Sequence, residues 1–139
     1  MFKVKVYSVG KSKEAWLQEA LAEYTKRLSP HMEIEWVLVK TDAELASKVS
    51  PPFIVLDVEG EQVDSPGLAR KLSHLWMAHG SKIHFVIGGS DGLDPVLVQK
   101  SVWRWSLSKL TFTHQMTRLI LLEQLYRALQ IDAGTAYHK

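Results

Sequence analysis

The stretch Phe53-Ile-Val-Leu-Asp-Val58 decides how the rest of the chain is read. It is apolar almost throughout, and its apolar residues do not alternate with polar ones. A strand with one wet face alternates; a nearly unbroken apolar run reads as a strand covered on both faces, the usual condition of a parallel sheet. Ile83-His-Phe-Val-Ile87 is a second run of this kind. Between the two, Asp64-Ser65-Pro66 offers a cap followed by proline in the first helical turn. Leu68, Leu72, Leu75 and Trp76 then fall at helical spacing, and Gly80 supplies the stop. The segment is a strand–helix–strand unit.

The same grammar extends towards the N-terminus. Lys3–Val9 alternates as a strand and Gly10 ends it. Ser12, between Lys11 and Lys13, is placed to cap a helix carrying Ala15, Trp16, Ala20, Leu21, Tyr24 and Leu28, which Pro30 stops. Ile34–Val39 is a strand, and Thr41-Asp-Ala-Glu44 has capping-box spacing before a short helix to about Val49. Towards the C-terminus, Asp94-Pro95 opens a helix through about Trp103. The stretch Ser106-Leu-Ser-Lys-Leu-Thr-Phe-Thr-His-Gln115 then sets small hydroxyl residues between apolar ones, as a half-buried strand or tight loop does. Thr113 is placed to cap a last helix from about His114 to Ile131. This alternation implies an α/β fold: a mostly parallel sheet with helices on both faces, in one domain spanning residues 1–139. In such folds the junction from strand end to helix start is where ligands bind.

Composition narrows the class. A chain of 139 residues with 46% hydrophobic and 23% charged residues is that of an ordinary soluble domain. It contains no cysteine, so disulfides, thiolate metal sites and a cysteine nucleophile are excluded. No run is long enough to span a bilayer. The N-terminus reads as a strand and not as a signal peptide, so a cytoplasmic location is the expectation. Residues 1–70 carry 9 Lys/Arg against 11 Asp/Glu, while residues 71–139 carry 8 against 4. A mildly basic second half is compatible with a phosphate backbone, though it does not demand one.

Two features exceed what a plain domain needs. The last helix is apolar almost all round over Leu119-Ile120-Leu121-Leu122, with Leu125, Tyr126 and Leu129 beyond. A helix facing one core needs one apolar stripe. The belt therefore points to a second partner surface, most simply a homodimer in which Leu121 and Leu122 meet a second copy; the alternative is a helix sandwiched inside the monomer. The chain also finishes on Tyr137-His138-Lys139, three side chains able to donate protons or pair with charge.

Familiar catalytic patterns are missing. Gly88-Gly89-Ser90-Asp91-Gly92 lets backbone approach a ligand, but it has neither dinucleotide-fingerprint spacing nor the Gly-Lys-Ser/Thr of a phosphate loop. The histidines lack metal-site spacing, so no metal is expected. No nucleophile elbow appears, and Asp57 and Glu59 are explained by a solvated strand end. What remains is a site of backbone loops, small hydroxyl residues and a Tyr-His-Lys tail. Such a site suits positioning more than covalent catalysis, as in methyl transfer from an already activated sulfonium.

Four ordered motifs carry a resemblance: Ile83–Leu93, Ser106–Met116, Leu122-Glu-Gln-Leu-Tyr-Arg-Ala128 and Tyr137-His138-Lys139. Together they resemble the RlmH family, SPOUT-class methyltransferases of the bacterial large ribosomal subunit. The resemblance implies a C-terminal trefoil knot, a homodimer and S-adenosylmethionine as donor. It further implies methylation at N3 of a pseudouridine in the helix 69 loop of 23S rRNA, with the large subunit or whole ribosome as substrate. Cofactor contacts map to Leu56, Gly88, Leu107, Ser108, Lys109, Leu110, Thr111 and Phe112. The tail reaches an active site, by resemblance the partner subunit's. Tyr137 and His138 then carry the catalytic role, His138 orienting the base or accepting its proton, since imidazole exchanges a proton near neutrality. Lys109, Arg118 and Lys139 are the expected RNA contacts. Ala136 replaces the proline often found before the Tyr-His pair, and the segment between Lys40 and Pro52 is short for the family. The alternative is a non-catalytic RNA-binding assembly factor that kept the fold.

Overall fold

The apolar runs become strands whose side chains alternate between two cores. In the computed structural model, which describes residues 1–89 and 91–139, β3 spans Phe53–Glu61 and β4 His84–Ile87. Ser90 of the glycine motif lies outside the described residues. Ile54, Phe85 and Ile87 enter one core, while Phe53, Val55 and Val86 enter the other. With both faces covered, neither period of the strand needs a polar residue, which is why the runs Phe53–Leu56 and Phe85–Ile87 show none.

The full order is β1 (Phe2–Val9), α1 (Ala15–Leu28), β2 (Met32–Val39), α2 (Asp42–Lys48), β3, α3 (Ser65–His79), β4, α4 (Pro95–Lys100), β5 (Trp103–Trp105) and α5 (His114–Asp132). The five strands form one sheet in the order β2-β1-β4-β3-β5, and every pairing is parallel. The C-terminal trefoil knot implied by the resemblance is consistent with this order. Helices α1, α3 and α5 cover one face through Leu17, Leu21, Leu68, Leu72, Trp76, Leu121 and Leu125. The shorter α2 and α4 cover the other through Leu45 and Leu97.

Local chemistry sets the helix ends. Thr41 accepts from the Glu44 amide, and the Glu44 carboxylate accepts from the Lys40 amide. Asp64 caps α3 by accepting from Gly67, and Gly80 closes it in the left-handed conformation. Thr113 caps α5 by accepting from Met116. The expected cap at Ser12 is not made. Helix α1 begins after Glu14 with no side-chain cap, because the Ser12 hydroxyl accepts from Arg118 instead.

The fifth strand lies earlier than the sequence indicates. Helix α4 stops at Lys100, and β5 is the short Trp103-Arg104-Trp105, with both tryptophans buried and Arg104 exposed. Three residues are too few for a periodic signal to register. Of the strand or tight loop expected over Ser106–Gln115, the structure has the loop, which runs into α5 at His114. Ser106 donates to the Ser108 carbonyl at 3.0 Å and the Ser108 hydroxyl accepts from the Leu110 amide at 3.0 Å. Hydroxyl groups spent on nearby backbone favour turns over ladders. At the other side of β5, Gly60 permits close approach: a Cβ there would lie 2.7 Å from the Arg104 carbonyl.

The apolar belt of α5 has an explanation inside the monomer. Leu121, Leu122 and Leu125 are each 0% exposed, packed among α1, α3 and the sheet. The expectation that Leu121 and Leu122 form a dimer face is therefore corrected: α5 is sandwiched, and both leucines are core. Leu121→Ala is expected to destabilise the fold by about 2–5 kcal/mol, and Leu121→Glu to prevent folding rather than yield a folded monomer. Urea denaturation and circular dichroism read the two outcomes.

Acid sensitivity follows from two imidazoles, the buried His84 and the half-buried His114. His84 is 2% exposed and its Nδ1 accepts from the Lys5 amide at 3.0 Å. Burial pushes the pKa of His84 down, with Lys5 and Lys82 adding to the effect, and burial does the same for His114, helped by Arg118. Between the unfolded value of about 6.5 and the lower folded value, the unfolded chain binds more protons. Stability is thus fully present above about pH 6.5 and drains as pH falls towards the folded value. The urea midpoint should drop over that window, and His84→Gln should flatten the drop.

Candidate active site

Four segments converge at the carboxyl edge of the sheet: the end of β3, the end of β4 with its glycines, the loop after β5 and the start of α5. They enclose a cavity of about 460 Å³. Leu56, Asp57 and Val58 come from β3; Ile87, Gly88 and Gly89 from β4 and beyond. Leu107, Ser108, Leu110, Thr111 and Phe112 come from the loop, followed by His114 and Gln115 of α5. The volume is in the range of small-molecule sites, and the walls are mainly apolar, as is usual for them.

Of the sequence-expected cofactor residues, Leu56, Gly88, Leu107, Ser108, Leu110, Thr111 and Phe112 line this cavity. Lys109 does not; it is exposed to solvent on the outer side of the loop. Leu110 stands 71% exposed at the rim, an unusual position for a leucine with nothing over it. Gly88 leaves room that matters, since a Cβ there would come within 3.1 Å of Leu93. The Gly89 amide donates to Asp42 of α2 at 2.9 Å, so the β2–β3 connection pins the glycine turn from outside.

Asp57 is the one carboxylate on the cavity wall. It is paired with Arg104 at 2.7 Å and also accepts from the Glu59 amide. A mainly apolar wall with its carboxylate paired to Arg104 and, among the described residues, no lysine suits a nucleoside without phosphates. The residues present therefore fit S-adenosylmethionine. Among the described residues, no three His, Asp or Glu side chains converge as a metal site.

The tail docks on its own chain. Tyr137 donates to Glu123 at 3.0 Å and packs edge-on to Tyr126, while the Arg127 guanidinium sits 4.9 Å over its ring. Burial, then hydrogen bonding with Tyr24 and Glu123, pushes the Tyr137 phenol well above its usual value. It stays protonated and lines neither cavity described here, so in this arrangement Tyr137 anchors the tail. His138 Nδ1 lies 3.0 Å from Arg127 Nη1. A guanidinium can only donate, so Nδ1 must accept, and the proton of the neutral ring is on Nε2. His138 lines a second cavity of about 600 Å³, beside the first, with which it shares Leu107 and Phe112.

Arg118 is not an RNA contact. It is 0% exposed and points inward from α5. Its Nε donates to Ser8 at 3.0 Å and Nη1 to Ser12 at 2.8 Å. Its Nη2 donates to the carbonyls of Val9 at 2.8 Å and Gly10 at 2.9 Å. Burial pushes its pKa down while Glu14 opposes, yet a guanidinium remains charged at neutrality. Charge type alone marked it as a candidate; its place two turns before the buried Leu125 was the signal against. Lys139, by contrast, is exposed at the chain end.

A family model described as "Predicted SPOUT methyltransferase" matches residues 2–138. "Ribosomal RNA large subunit methyltransferase H" of Protochlamydia amoebophila (strain UWE25) is 44% identical over 141 residues, covering 100% of both chains. "The structure of a probable methylase family protein from Haemophilus influenzae Rd KW20" shares the fold with a TM-score of 0.58, over 98% of this chain and 70% of that one, at 11% identity. Fold and sequence together define a SPOUT methyltransferase. Within that class, the chain belongs to the RlmH family.

Arg118→Met removes four hydrogen bonds, leaving the buried Ser8 hydroxyl and three half-buried acceptors without their donor. The expected cost is about 3 kcal/mol or more of unfolding free energy, read by urea denaturation.

Proposed function

We propose that this chain is an S-adenosylmethionine-dependent methyltransferase acting on N3 of a pseudouridine in the helix 69 loop of 23S rRNA. Its substrate is the large subunit or the whole ribosome, in the cytoplasm, and it works as a homodimer whose contact face lies outside Leu121 and Leu122. The observation that carries the reading is the mainly apolar cavity at the carboxyl edge of the sheet, built from the residues the family resemblance selects. The relative's name, ribosomal RNA large subunit methyltransferase, supports the RNA substrate.

When bound, S-adenosylmethionine supplies a methyl group already activated on a sulfonium sulfur. The chain's own task is then positional. Leu56, Leu107, Leu110 and Phe112 exclude water, and the Gly88 backbone permits close approach. The carboxylate of Asp57 stands on the same wall with its charge balanced by Arg104. Lys109 and Lys139 are exposed and available to phosphates. Tyr137 holds the tail, and His138 faces the acceptor base.

Deleting Tyr137–Lys139 is expected to cut methyl transfer to ribosomes by about 100-fold or more while leaving cofactor affinity nearly unchanged. Calorimetric titration with S-adenosylmethionine and transfer of labelled methyl to ribosomes read the two halves. Absence of cofactor binding at millimolar concentration would sink the enzyme reading and favour a non-catalytic RNA-binding factor; full activity of the truncated chain would sink the role of the tail.

A further inference from the structure

The loop from β1 to α1 carries charge that the site described above does not use. Gly10-Lys-Ser-Lys-Glu14 leaves the carboxyl end of β1 through a left-handed turn, with Gly10 at φ +90°. Arg118, buried under the loop, holds that turn by donating to the Val9 and Gly10 carbonyls and to the Ser8 and Ser12 hydroxyls. Lys11 and Lys13, on either side of Ser12, are exposed. The Gly10 amide donates to the Val39 carbonyl at 2.8 Å, which sets the exposed Lys40 at the end of β2 beside them. The carboxylates nearby are engaged or outnumbered. Asp42 accepts from the Gly89 amide, and Glu44 accepts from the Lys40 amide and pairs with Lys48 at 3.5 Å. Glu14 is the one carboxylate in the loop itself. Among the described residues, none of the three lysines forms an ion pair. Arg118 adds a further positive charge whose four acceptors are all neutral, so the field at this loop is positive.

The place of this loop gives the charge a use. Strand β1 borders β4 in the sheet, and Gly10 lies against the first cavity: a Cβ there would be 3.3 Å from Nε2 of His114, which lines it. Lys109 stands on the loop after β5, and β5 is three strand spacings from β1, about 14 Å. Exposed lysines therefore flank the first cavity on both sides. We propose that Lys11, Lys13 and Lys40 form a surface that binds the phosphodiester backbone of the RNA substrate on the β1–β2 side of the first cavity. The inference rests on the RNA methyltransferase reading above and deepens it. Contacts to phosphate fix the register of the RNA and carry no base identity. Arg118 ties the loop to α5, and α5 supplies His114 and Gln115 to the first cavity. A backbone gripped at Lys11 and Lys13 is thus set at a constant distance from the methyl donor.

Salt dependence reads the contacts directly. Filter binding to ribosomes lacking the methyl mark, repeated across salt concentrations, gives a slope of log Kd against log salt. The double variant Lys11→Gln/Lys13→Gln should weaken binding about tenfold or more and lower that slope by about 1.5, since each phosphate contact contributes roughly 0.7–0.9. Adding Lys40→Gln should lower it by about 0.8 more. Calorimetric affinity for S-adenosylmethionine should stay unchanged, which also shows that the variants are folded, and kcat at saturating ribosomes should stay within about twofold. The control removes the same charge from the opposite edge of the sheet: Lys3 and Lys82 are exposed there and bridge the starts of β1 and β4. Lys3→Gln/Lys82→Gln should leave Kd and slope as in the parent. An unchanged slope in Lys11→Gln/Lys13→Gln would overturn the proposal, and so would an equal fall in both pairs, which reports net charge alone. A parent that transfers no methyl to any ribosomal particle would instead overturn the methyltransferase reading, with the binding slopes still deciding the surface.

Discussion

A parallel sheet buried on both faces constrains everything else in this molecule. Each strand must be followed by a crossover, and each crossover in turn must cover a face. All five strands point the same way, so their carboxyl ends lie along one edge, and the turns leaving β3, β4 and β5 are forced into proximity there. The first cavity is a consequence of that convergence. It needs no dedicated subdomain, only turns that stay thin enough to leave a space, which is what Gly88 and the self-bonded Ser106–Ser108 turn provide.

Helix α5 links this edge to the tail. Its N-terminal turn contributes His114 and Gln115 to the first cavity, and its middle is sealed in the core by Leu121, Leu122 and Leu125. The next turns present Gln124 and Arg127 to the second cavity and the tail. Arg118 fixes the helix lengthwise by binding the end of β1 and the following loop through four neutral acceptors. A guanidinium suits this task because its planar fork reaches several acceptors from one position. The same helix thus sets the spacing between donor site and tail, and loosening Arg118 would move both.

What the sequence disclosed and what it concealed divide along physical lines. Strands β3 and β4, the caps at Thr41, Asp64 and Thr113, and the stop at Gly80 were legible because each rests on local pattern or on one side chain bonding a neighbouring amide. Strand β5 was not, because three residues between two turns carry no period, and the hydroxyl-rich loop after it imitates one. The burial of Arg118 and the interior packing of Leu121 and Leu122 are non-local: they depend on what α1, β1 and α3 bring to α5. The lining of the first cavity was reached through family resemblance, since backbone and apolar contacts leave little trace in residue type. The second cavity left still less, because Gln124 and His138 are 14 positions apart in the chain and meet there only through folding.

The two cavities divide the work by polarity. The first is lined by aliphatic groups, with a single carboxylate already balanced by Arg104, which suits a donor whose reactivity is carried on its own sulfur. The second mixes apolar groups with Asp64, Ser65, Gln124 and His138. Phe112 and Leu107 stand between them and line both. These two residues belong to a loop whose backbone is tied by its own serines and whose Leu110 remains uncovered at the rim. Because Leu107 and Phe112 of this loop face both cavities, any shift of the loop would reshape the two together without any element of the sheet having to move.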